Sequence, residues 1–89
     1  MKKGDVVSVV SIAGEYVGKY NTKSASGAIT LDDPRMLVQQ GEGMGFAAGI
    51  CVTGKMNPDE VTFAQYVFVT PVNDDIEKAY RQATSGLVL

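Results

Sequence analysis

Histidine is absent from this chain of 89 residues. That removes the usual general base at neutral pH, the Ser-His-Asp and Cys-His arrangements, and the commonest metal ligand. Cysteine occurs once, at Cys51. No disulfide can form within the chain, and a reducing compartment is the natural setting. In its apolar run Cys51 reads as a small buried hydrophobe rather than a reactive thiol. No apolar run is long enough to span a membrane. Met1-Lys2-Lys3 is basic, but Gly4-Asp5 follows where a signal peptide would have its apolar core. The expectation is a cytoplasmic protein without membrane contact.

Charge is also sparse. Charged residues make up 20% of the chain and hydrophobic ones 45%, the balance of an ordinary globular domain. The net charge is −2 and the pI about 4.9, which argues against one dense Lys/Arg patch. A local basic cluster can still act despite that total. Acid pairs stand at Asp32-Asp33 and Asp74-Asp75. Neighbours in a strand point to opposite faces, so the first pair is poorly placed to share a proton. The second has a sufficient role at a helix start. No enzyme, no cofactor and no metal site is expected.

The residues that are present read as β-structure. Along 5–12, Val7 and Val9 point one way and Val6, Ser8, Val10 and Ile12 the other, in a β-branched run without proline. Ala13-Gly14 is a turn. A second strand covers 15–20, with Gly18 marking a bulge or sharp bend. Residues 21–27 form a polar loop, and 28–32 a third strand that Pro34 is expected to end. Residues 35–40 fit a short strand or a helical turn. Gly41, Gly43 and Gly45 superficially suggest a phosphate loop, but the apolar β-like run behind them favours a mobile turn. A fourth strand is expected over 44–53 and a fifth over 60–70, both apolar on two faces. Asn73 or Asp74 caps a helix over 74–84, with Ile76, Ala79, Tyr80 and Ala83 on its apolar face. A meander with a built-in bend begins many small, strongly curved barrels. A chain this short buries a limited core, and both-face-apolar strands leave edges at risk of aggregation, so a homo-oligomer is expected.

The first third of the chain resembles the Sm and Sm-like (LSm) family. That family's first motif has a valine-rich strand, a turn and Tyr-x-Gly-x-Leu, then an Asp, a Met-Asn pair, and Leu-x-Leu leading to an Asp. Tyr16 takes the Tyr position around Gly18, and Tyr20 stands for the first Leu. Ile29 and Leu31 take the Leu-x-Leu positions and Asp33 the closing Asp. Ser24 replaces the earlier Asp, and Gly27-Ala28 replaces Met-Asn, at the positions where the family touches RNA. The family's helix precedes its first strand, whereas here the helix comes last. The pattern is most similar to Sm-like proteins ascribed to marine cyanophages, which would place the protein in a host cytoplasm. The resemblance implies a small, strongly bent, five-stranded antiparallel Sm-like barrel with a C-terminal helix, assembled into a homo-oligomeric ring.

It also implies a site. In the family, the loop after the second strand and the loop between the fourth and fifth meet at the ring's pore. Here these are 21–27 and 53–59. Gly54 matches the second motif's Arg-Gly, Thr53 replaces its Arg, and Lys55 and Asn57 lie close by. The candidate nucleic-acid-binding residues are Tyr20, Lys23, Ser24, Ser26, Lys55 and Asn57. Singly, each is more simply a solvated turn residue. A closed ring repeats them, so two lysines per subunit become a basic girdle. The expected function is a non-catalytic ring that binds single-stranded RNA, with single-stranded DNA as the second ligand, and acts in RNA processing or as an RNA chaperone. The alternatives are a structural oligomer, such as a phage assembly or scaffold component, and a small-ligand-binding barrel.

Overall fold

A computed structural model describes residues 1–47, 50, 54 and 57–84, with the side chain of Gln40 excepted. Six antiparallel strands form one sheet, and a helix follows. In order they are β1 (Val6–Ser11), β2 (Gly14–Lys23), β3 (Ile29–Gln40), β4 (Gly43–Phe46), β5 (Glu60–Phe63), β6 (Phe68–Pro71) and α1 (Asp74–Thr84). The strand order is β4-β3-β2-β1-β6, with β5 also on β3. β4 pairs with the C-terminal part of β3, Leu37 to Gln40, and β5 with its N-terminal part, Ile29 to Asp32. Among the described residues the sheet does not close on itself.

The valine run of β1 alternates as its sequence demands. Val7 and Val9 are fully buried in an inner cluster with Ile29 and Leu31. Tyr20, Phe63, Tyr66 and Val69 pack around it. Val6 points the other way, into an outer cluster with Val17 and Tyr80, flanked by Phe46, Val72 and Ile76. β1 is thus covered on one face by the bent sheet and on the other by the helix. Ser8, also buried, satisfies its hydroxyl on Glu15 at 2.9 Å. Ile12 lies in the hairpin turn, 99% exposed, beyond the end of the strand.

The bend sits where β2 and β3 change register. Val17 pairs with Arg35 and Lys19 with Asp32, so Gly18 on one strand opposes Asp33-Pro34 on the other. A Cβ on Gly18 would lie 3.1 Å from the Leu31 side chain and 3.2 Å from the Asp32 carbonyl oxygen. Those contacts are tighter than ordinary ones, so a side chain here would require the neighbours to give by a few tenths of an ångström, which glycine avoids. Pro34 does not end β3, contrary to expectation. It falls inside the irregular stretch, where no ladder donor is required of it, and pairing resumes at Arg35. Residues 35–40 consequently form strand rather than a helical turn.

Two expected strands are also corrected. The run 60–70 is two short strands, β5 and β6, separated at residues 64–67. An unbroken strand would put Phe63 and Tyr66 on opposite faces. Both pack on the inner cluster, which the break makes possible. Of the run 44–53, strand covers Gly43–Phe46, and residues 48–49 and 51–53, Cys51 among them, lie outside the described residues.

The helix begins at an asparagine cap: Asn73 Oδ1 accepts the Ile76 N–H at 2.9 Å. Asp74, Asp75 and Glu77 fill the first turn, where they complement the helix dipole. Tyr80 is buried and Ile76 half-buried, but Ala79 and Ala83 are exposed. The packed stripe is Ile76, Tyr80 and the half-buried Thr84, each one turn apart. No described helix is long and apolar enough to cross a membrane.

Candidate nucleic-acid interface

Lys23 closes β2 opposite Ile29 and is exposed. The chain then turns through 24–27. The Ser24 N–H donates to the Ala28 carbonyl at 2.8 Å, and the Gly27 N–H donates to the Ser24 carbonyl at 3.0 Å. Gly27 has φ +97°, a left-handed conformation that glycine adopts without a Cβ penalty. The exposed hydroxyls of Ser24 and Ser26 stand 2.8 Å apart. Lys23, Ser24 and Ser26 therefore share one polar tip.

Tyr20 is positioned differently. It is half-buried and packs on the inner cluster, so part of its ring is committed to the core. Its backbone holds the start of the chain. The Gly4 N–H donates to the Tyr20 carbonyl, and the Tyr20 N–H to the Asp5 carbonyl, both at 2.8 Å.

Residues 57–59 are not beside this tip. The Asp33 N–H donates to the Asp59 carbonyl at 2.7 Å, and Glu60 pairs with Asp32, which puts this stretch at the bend. Ile29 and Asp33 are four positions apart, about 13 Å of strand. Asn57 is half-buried on that side. Lys55 lies outside the described residues.

The segment that does meet the tip is 64–67. The Tyr66 hydroxyl donates to the Gly27 carbonyl at 2.6 Å. Sequence reasoning missed this contact because it treated 60–70 as one strand. The available signal was Ala64-Gln65, a weak β-former beside a polar residue between two apolar runs.

At the bend, acids and amides are tied to one another. Asn21 Nδ2 donates to Asp32 at 2.8 Å and to Glu60 at 3.4 Å. Arg35 pairs with Asp33 at 2.6 Å. The Thr30 and Thr62 hydroxyls meet across the strands at 2.8 Å. No group of three or more metal-ligating side chains occurs among the described residues. Comparison with protein-family models, with characterised proteins and with solved structures finds no match to this chain.

Proposed function

We propose that this chain is a non-catalytic single-strand-binding protein of Sm-like type, taking RNA first and single-stranded DNA second, and that it works as a ring of identical subunits. The observation that carries the reading is the 23–27 tip: the exposed Lys23 and the two exposed hydroxyls of Ser24 and Ser26, with no carboxylate in it. Phosphate contacts need cations and hydrogen-bond donors and little else.

The sheet's outer edges support assembly. Among the described residues the outer edge of β4 has no partner strand; β4 carries Met44, and β6 begins at Phe68 just after Val67. All three are exposed, at 60%, 50% and 65% respectively. Unpaired strand edges with apolar side chains invite pairing with another copy. A contact between two different edges is head-to-tail, and it makes a ring when the rotation closes. In that setting the bent sheet, wrapped around Val7, Val9, Ile29 and Leu31, is the wall of a small barrel.

Titration of a labelled short oligouridylate at several salt concentrations tests the function. Affinity should fall steeply with salt, as counterion release requires. Absence of binding at low salt would remove the nucleic-acid reading. A structural oligomer would then be the better account, which the net charge of −2 and the apolar edges favour.

A further inference from the structure

Charge is unevenly distributed over the fold. The segments 1–5, 16–31 and 61–70 contain Lys2, Lys3, Lys19 and Lys23 and one carboxylate, Asp5; Glu15, Asp32 and Glu60 adjoin their ends, and the last two are hydrogen-bonded to Asn21. These segments are neighbours. Gly4 and Asp5 are hydrogen-bonded to Tyr20, and Tyr66 to Gly27.

A tight turn presents the first two lysines. The Asp5 N–H donates to the Lys2 carbonyl at 2.9 Å, and Gly4 takes φ +96°. The Asp5 carboxylate accepts the Lys2 backbone N–H at 2.9 Å. The single acid of the region is thus engaged by the main chain. The side chains of Lys2, Lys3 and Lys23 form no ion pair among the described residues, and all three residues are exposed. Lys19 differs, since it stands opposite Asp32. Tyr20, which holds the turn, is three positions from Lys23, roughly 10 Å of strand. The acids at the bend, Asp32 with Glu60 opposite it and Asp33, are roughly 10 and 13 Å from Ile29 along β3. Both exceed the screening length of roughly 8 Å at physiological ionic strength, so the tip acts as a cation despite the acidic total.

We propose that Lys2 and Lys3, held beside β2 by the Gly4–Tyr20 hydrogen bond, join Lys23 in one phosphate-contacting surface for a single RNA strand. This rests on the nucleic-acid reading above. The lysine pair at the start of the chain takes the part that the sequence assigned to Lys55. The contacts are electrostatic, so they position the strand without reading its bases.

The test compares oligouridylate binding by the parent protein, Lys2→Ala/Lys3→Ala, Lys2→Arg/Lys3→Arg and Lys23→Ala, by fluorescence anisotropy over a salt series. The turn's hydrogen bonds use backbone groups and the Asp5 carboxylate, so the alanine pair should keep the parent's thermal melt. It should bind about tenfold more weakly at low salt, with the slope of log K against log salt reduced by about 1.4, or about 0.7 for each lost phosphate contact. The arginine pair should keep the parent slope. If the alanine pair binds with the parent's affinity and slope while Lys23→Ala is weakened, the inference fails and the nucleic-acid reading stands. If the parent protein does not bind, both fall.

Discussion

The hydroxyl of Tyr80 stands 2.6 Å from the carbonyl oxygen of Asp33 and 3.3 Å from that of Asp32. This joins the helix to the bend of β3. Asp33 has φ +51°, a left-handed conformation uncommon for a residue with a side chain. Its N–H goes to Asp59, its carbonyl accepts from Tyr80, and its carboxylate pairs with Arg35. Three partners offset the backbone cost at one residue. The bend is what carries β3 from its pairing with β5 to its pairing with β4.

Tyr80→Phe should therefore destabilise the protein by about 1–2 kcal/mol, because the Asp33 carbonyl loses its donor in a partly buried place. Chemical denaturation at neutral pH measures this. The same variant should change the alkaline limb. Burial, and then the negative charge of Asp33, push the Tyr80 hydroxyl up to about 12 from its ordinary 10. Below about pH 10 both folded and unfolded chains hold the proton, and the stabilisation is fully present. Between about pH 10 and 12 the unfolded chain releases it first, so stability falls as pH rises, by an amount on the order of 3 kcal/mol. The difference between parent and Tyr80→Phe should narrow over that window and change sign towards its upper end. A constant difference would count against a buried, neutral Tyr80.

Gly18→Ala should cost about 1–3 kcal/mol, because its new methyl group would crowd Leu31 and the Asp32 carbonyl from close range. Thermal melting of the variant reads the loss directly. An unchanged melt would mean that the β2–β3 crossing relaxes freely, against the tight register seen here.

Tyr66→Phe keeps the ring on the inner cluster and removes the bond to Gly27. Stability should fall by about 1 kcal/mol. Amide exchange of Ser24 and Gly27, whose N–H groups close the turn, should speed up more than that of Val7 and Val9 in the core. Equal acceleration everywhere would show that the bond supports the whole fold rather than the tip.

The parts of this fold that follow from short-range patterning were legible in the sequence. The alternation of Val6 against Val7 and Val9, the turn before Gly14 and the irregularity at Gly18 each need only a few adjacent residues. The helix was legible from its cap and period, but its packed face was not. Ala79 and Ala83 are apolar enough to suit a buried stripe, and the large ring of Tyr80, with its hydroxyl on Asp33, decides the helix rotation instead. Pro34 misled because a proline's meaning depends on its partner strand, and the register shift opposite Gly18 makes room for it. At the candidate site, Lys23, Ser24 and Ser26 stay together through sequence adjacency, but β2 runs on through 21–23, which the sequence reading gave to the loop, so Lys23 ends a strand. Asn57 was not placed, because its position depends on which end of β3 receives Glu60. The approach of Lys2 and Lys3 to β2 rests on backbone bonds at Gly4 and Asp5, which no side-chain pattern announces.

The central claim is a ring of identical subunits that holds one RNA strand. Light scattering coupled to size exclusion, run at micromolar protein with an oligouridylate present at low salt, tests it most directly. The account predicts one peak with the mass of several subunits and with RNA absorbance under it. A peak at 9.5 kDa, the mass of one chain, with the RNA eluting separately, would contradict it.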